Sequence, residues 1–126
     1  MPECKSVPSI VLDFSNNRIR IHKKTITNLG SPKHILLIVN PDKMAICVAA
    51  CPTELKGSHK IVFNSNHCYE LYSKSLIDTI KNVFACWNDN KSYRISGIYA
   101  QNKRIAKFIL TDSVPVNSYE TVKNNV

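Results

Sequence analysis

The chain has 126 residues, 17 Lys and Arg against 9 Asp and Glu, and a formal charge of +8, with 44% hydrophobic and 21% charged residues. That length suits a single domain, and 3 Gly with 6 Pro exclude collagen-like, linker-like and disordered compositions. No apolar run approaches the ~20 residues of a membrane-spanning helix, and the start Met1-Pro2-Glu3-Cys4-Lys5 lacks a charged-then-apolar leader, so a soluble cytoplasmic protein with no membrane partner is expected.

Five cysteines (Cys4, Cys47, Cys51, Cys68, Cys86) cannot all pair within one chain, and the odd count points to a reducing compartment. The positive balance is +5 in residues 1–63 and +3 in residues 64–126. No basic tail hangs on a neutral body, so any polyanion site must lie on the folded surface.

The first predicted element is a strand over residues 10–14, followed by Ser15-Asn16-Asn17, where Asn suits left-handed turn geometry. Residues 18–22 alternate strictly, which sets Ile19 and Ile21 on a core face and Arg18, Arg20 and His22 opposite. Residues 23–29 suit two helical turns with Ile26 and Leu29 inward, Gly30 as terminator and Pro32 barring continuation. Residues 35–39 and 44–48 read as a hairpin about Asn40-Pro41-Asp42-Lys43.

Residues 59–63, a turn at Ser65-Asn66 and residues 68–72 then read as two further strands. A helix follows from Ser73, a plausible N-cap, to about Trp87, with Leu76, Ile77, Ile80, Val83 and Phe84 as its buried stripe. Residues 93–100 and 103–110 form a closing hairpin with Gly97 as a bulge, and residues 111–126 are expected to fray.

Laid on itself at an offset of 50, the chain repeats this order. Val11 and Leu12 fall on Ile61 and Val62, Ser15-Asn16 on Ser65-Asn66, Ile19 and Ile21 on Tyr69 and Leu71, and Lys24 on Lys74. The expectation is one α+β domain over residues 1–126. It would be a small β-barrel-like fold of two pseudo-symmetric strand-strand-helix-strand-strand repeats, residues 10–50 and 60–110, with eight strands in all.

The stretch Asn17-Arg18-Ile19-Arg20-Ile21-His22, a short helix ending in Leu29-Gly30, and a strand-turn-strand through Val48 resemble the AbrB/SpoVT (MazE-like) swapped-hairpin DNA-binding domain. That family builds a small barrel from two copies of the unit, usually on two chains. The resemblance implies a tandem duplicate on one chain and DNA binding by arginines. Arg18 matches the basic position that opens the second strand. Ile26-Thr27-Asn28 stands where the family's helix is Arg-rich, and the basic pair here lies earlier, at Lys23-Lys24.

Two acid-free stretches carry the candidate polyanion contacts. Residues 16–34 hold Arg18, Arg20, Lys23 and Lys24, and residues 90–107 hold Lys103, Arg104 and Lys107 as a secondary patch, alongside Lys91 and Arg94. The bland alternative is a solvated sheet face. Arg20 falls on Glu70 and Arg18 on Cys68, so the second copy loses the stripe, and a palindromic duplex site would need a homodimer of chains.

Cys47-x-x-x-Cys51 with His59 and His67-Cys68 has poor zinc spacing, so no metal or other cofactor is expected. No paired carboxylates, nucleophile with base, or Gly-rich phosphate loop emerges, so neither an enzyme nor a small-molecule substrate is expected. Tyr69, Tyr72, Trp87, Tyr93, Tyr99 and Phe108 offer a single-strand stacking platform or, more simply, packing. The expected function is therefore non-enzymatic binding of duplex DNA by a transcription regulator or antitoxin-like module. The alternative is a protein-interaction adaptor, from a phage or mobile element, with no nucleic-acid role.

Overall fold

The computed structural model describes residues 7–84, 87, 91–100, 102 and 104–116. The fold is α+β, made of antiparallel sheets and two helices. The chain opens with strand β1 (Ser9–Asp13), a 3-10 turn (Phe14–Asn16) and β2 (Arg18–His22), then helix α1 (Lys23–Thr27). The long hairpin β3 (His34–Asn40) and β4 (Ala45–Cys51) follows, then β5 (His59–Lys60), β6 (Cys68–Tyr72) and α2 (Lys74–Val83). The chain continues through β7 (Ser92–Ser96), β8 (Ile98–Tyr99), β9 (Ile105–Ile109), a 3-10 turn (Leu110–Asp112) and β10 (Val114–Val116).

These strands form two five-stranded sheets, β10-β7-β1-β2-β6 and β5-β3-β4-β9-β8, rather than one closed barrel. The strands alternate because each buries one face. Ile10, Leu12, Ile19, Ile21 and Ile95 of the first sheet meet Ile35, Ile46, Val48, Ala106 and Phe108 of the second in a single core. Ile26 of α1 and Ile77 and Ile80 of α2 join it. Ser73 caps α2 by accepting from the Leu76 N–H at 3.2 Å, and His22 caps α1 through Nδ1, accepting from the Lys24 N–H at 3.0 Å.

Strand β2 runs antiparallel to β6 with Arg18 opposite Tyr72, Arg20 opposite Glu70 and His22 opposite Cys68. Backbone bonds close both ends of this ladder, from the Ser73 N–H to Asn17 O at 2.9 Å and from the Lys23 N–H to His67 O at 2.8 Å. Asn17 and His67 share left-handed backbone, with φ of 53° and 61°. Strand β4 runs antiparallel to β9 with Ala45 opposite Ile109, Cys47 opposite Lys107 and Ala49 opposite Ile105.

Several expectations change. The strand expected over residues 59–63 is only β5, and it pairs with β3 instead of folding back on β6. The hairpin expected from residues 93–100 and 103–110 is divided. Strand β7 belongs to the first sheet between β1 and β10, and only β8 pairs with β9. Gly97 is the handover: its N–H donates to Pro8 O at 2.8 Å, and a Cβ there would fall on the Lys107 carbonyl oxygen and the Phe108 ring. Residues 114–116, expected to fray, form β10 on the edge of β7, while residues 117–126 lie outside the described set. The described residues hold ten strands against the eight expected.

Candidate interaction surfaces

Because the two sheets share one core, their outer faces point to opposite sides of the molecule. Strand alternation places Arg18 and Arg20 of β2 on the outer face of the first sheet, beside Glu70 and Tyr72 of β6. Lys107 of β9 lies on the outer face of the second sheet, flanked by Cys47 and Ile98. The two acid-free stretches therefore do not merge into one basic surface. Arg104 is exposed just before β9, Lys23 and Lys24 are exposed where β2 passes into α1, and Lys103 lies outside the described residues.

The predicted arginine stripe is an ion-pair network. Arg18 Nη2 donates to Asp13 Oδ2 at 2.7 Å and its Nη1 donates to Glu70 Oε2 at 3.3 Å. Arg20 Nε donates to the same Glu70 oxygen at 3.2 Å. Asp13 is only 4% exposed. It also accepts from Ser15 Oγ at 3.0 Å and Asn16 Nδ2 at 2.9 Å, tying the 3-10 turn to the strand that follows. Burial works to raise the Asp13 carboxyl, but the hydrogen bonds from Asn16, Ser15 and Arg18, with the Arg18 charge, carry it below the usual aspartate value. Arg18, with a side chain 21% exposed, is thus a structural cation. Arg20 is more open, at 38%.

Residues 68–72 carry an acid opposite the basic strand β2. Glu70 faces Arg20 across the ladder and forms a cross-strand pair with it. Sequence reasoning misses Asp13 and Glu70 as partners because both lie outside the basic segments and meet them only through tertiary pairing. It groups Arg94 with the secondary patch, whereas the register sets it on the first sheet. Arg94 is exposed, and Val11 separates it from Arg20 in one row running β7, β1, β2. The Tyr93-Arg94-Ile95 alternation signals an outward arginine, whereas its neighbour is set by non-local register.

Four of the aromatic residues pack together. Phe14, Phe84, Trp87 and Tyr93 form one cluster, with Phe14 and Trp87 ring centroids 4.8 Å apart and Trp87 and Tyr93 at 4.9 Å. The Trp87 indole N–H donates to Ile80 O at 3.3 Å. Of the six aromatics that offer a stacking platform in the sequence, Tyr69, Tyr93 and Phe108 are buried and Trp87 packs in this cluster, Tyr99 is partly buried, and Tyr72 is 62% exposed. Among the described residues no three His, Cys, Asp or Glu side chains gather as a metal-ligand set, and no helix is long and apolar enough to cross a membrane.

The second sheet's outer face differs in kind. One row across β3, β4, β9 and β8 reads Ile38, Cys47, Lys107, Ile98, and the neighbouring row reads Leu36, Ala49, Ile105. Ile38 is 48% exposed and Ile98 68%.

Neither a protein-family model, nor a curated protein, nor a solved structure matches this chain.

Proposed function

We propose that the chain is a tandem duplicate of a strand-strand-helix-strand-strand unit and acts as a non-enzymatic DNA-binding protein, a transcription regulator or antitoxin-like module. One observation supports the reading: the β2–β6 ladder is self-paired at the repeat offset. In an antiparallel ladder, partner numbers have a constant sum. Two units related by a two-fold axis therefore meet at one residue and its own counterpart. Residue 20 meets residue 70, fifty positions on. The reciprocal bonds at Asn17 and His67, with their shared left-handed backbone, obey the same relation. That symmetry is what the resemblance to the AbrB/SpoVT domain implies.

The contacts assigned to duplex phosphates are Arg20, Lys23 and Lys24, joined by Arg94 on the same sheet, with Arg18 positioning Glu70 and Asp13. Arg104 and Lys107 lie on the other sheet and belong to no common footprint with them. The test is a salt titration of binding to a fluorescent random-sequence duplex. The logarithm of affinity should fall by ~0.9 per phosphate contacted for each decade of salt, and Lys23→Ala with Lys24→Ala should lower the slope by the equivalent of about two phosphates. No binding at ~50 mM salt, where such contacts are strongest, refutes it. A second reading, a protein-interaction adaptor, is favoured by the apolar outer face of the second sheet.

A further inference from the structure

An antiparallel sheet with one wet face ordinarily alternates apolar inward and polar outward. The first sheet does so, carrying Arg94, Arg20, Glu70, Asp13 and Arg18 outside. The second does not. Leu36, Ile38, Cys47, Ala49, Ile98 and Ile105 are contiguous there through registered neighbours, and the most protruding are isoleucines. A patch of this kind on a soluble chain marks a contact surface.

Its centre selects the occupant. Lys107 is half-buried between Cys47 and Ile98, and among the described residues no carboxylate lies within 4.0 Å of its ammonium. Covering that ammonium with apolar groups alone would strand a desolvated charge, so a stable occupant must bring a counter-charge. A second copy stacked face to face offers none: the rows facing Lys107 would present isoleucine, alanine, cysteine and another Lys107, on chains that each carry +8. A polyanion fits no better, because Lys107 within apolar neighbours and Lys60 on the edge strand β5 are too few and too far apart to track a phosphate backbone.

We propose that this face docks a partner-protein segment that sets one Asp or Glu carboxylate on Lys107 within a surround of apolar side chains. The inference stands apart from duplex binding and deepens the adaptor reading by giving the partner's chemistry. The apolar ring supplies contact area, and the single cation supplies register and orientation, while the positive chain accelerates the approach of an acidic partner.

The probe is a displayed library of random peptides, selected against the full chain. Support requires enriched peptides with one acidic residue among apolar ones, whose affinity falls tenfold or more on Ile38→Lys or Ile98→Lys. Replacing the acid by Gln should weaken them at least tenfold against the native chain and leave them unchanged against Lys107→Met. Against Lys107→Glu, peptides with Lys in place of the acid should be preferred. Since Ile38, Ile98 and Lys107 are surface positions, unchanged melting of the variants keeps misfolding apart from lost docking. Face-dependent peptides indifferent to the acid overturn the partner chemistry but leave the adaptor reading standing. No face-dependent peptide at all overturns both. Sedimentation showing self-association that Ile98→Lys abolishes assigns the face to a second copy. Binders that appear only after deletion of residues 117–126 assign it to the chain's own tail. Either result overturns the proposal.

Discussion

Arg18→Met separates the structural role of this guanidinium from a nucleic-acid role. The variant keeps the aliphatic stem but removes the 2.7 Å bond to Asp13 and the 3.3 Å bond to Glu70. Asp13, 4% exposed, then retains only the Ser15 and Asn16 hydrogen bonds for a carboxylate nearly out of water. Removing one member of a fully buried pair costs about 3–5 kcal/mol, and the 21% exposure of Arg18 brings the expectation down to about 2–3 kcal/mol. In urea unfolding followed by circular dichroism, the unfolding free energy should drop by that amount with an unchanged m-value. The melting temperature should fall by about 8–12 °C. Adding Asp13→Asn should recover part of the loss, because the double variant leaves no orphaned charge, so the two single costs sum to more than the double. The salt dependence of duplex binding should stay within about half a phosphate of the native value, where Lys24→Ala lowers it by about one. A stability loss below about 1 kcal/mol, the size of an exposed ion pair, together with a salt slope shallower by one whole phosphate, would refute the reasoning.

The Asp13 carboxyl also sets an acid limit. Its folded value lies below the usual 3.8, so its stabilisation is fully present above pH 3.8 and disappears as pH falls through the folded value. The stability gap between the native chain and Asp13→Asn should therefore be flat from about pH 5 to 7 and narrow only below pH 3.8; a gap already closing at pH 5 to 6 contradicts this. Gly97→Ala should cost about 2–3 kcal/mol, because the new methyl meets β9 backbone at Lys107 and the Phe108 ring, neither of which is a flexible chain end. Chemical denaturation checks it, and a change under about 0.5 kcal/mol would show that β7 and β8 tolerate separation from β9.

What local chemistry determines is legible in the sequence. The Ile19 and Ile21 alternation, the hairpin about Asn40-Pro41 and the Ser73 cap are fixed by residues near one another, and the structure places strands, turn and helix there. Burial of Ile26 and Leu29 follows from helical spacing even though α1 itself ends at Thr27. Partner choice is not legible. Nothing in residues 59–63 says that the strand stops after Lys60 and joins β3, and nothing in Val114-Pro115-Val116 says that β7 awaits it. The candidate site shows the same divide. Alternation alone sets Arg18 and Arg20 on one outward face, but their charge is balanced by Asp13 and Glu70, which only the register brings within reach.

The Arg20–Glu70 contact bears on the proposed duplication. A strand that pairs antiparallel with an identical copy about its own midpoint must set that residue against itself, arginine on arginine or glutamate on glutamate. Two unlike segments of one chain escape this constraint. Once the halves are read from separate codons, opposite charges can occupy the axis, and each half becomes the obligatory complement of the other. A chain built that way holds an inside pairing that no swapped assembly of equal strands could reproduce.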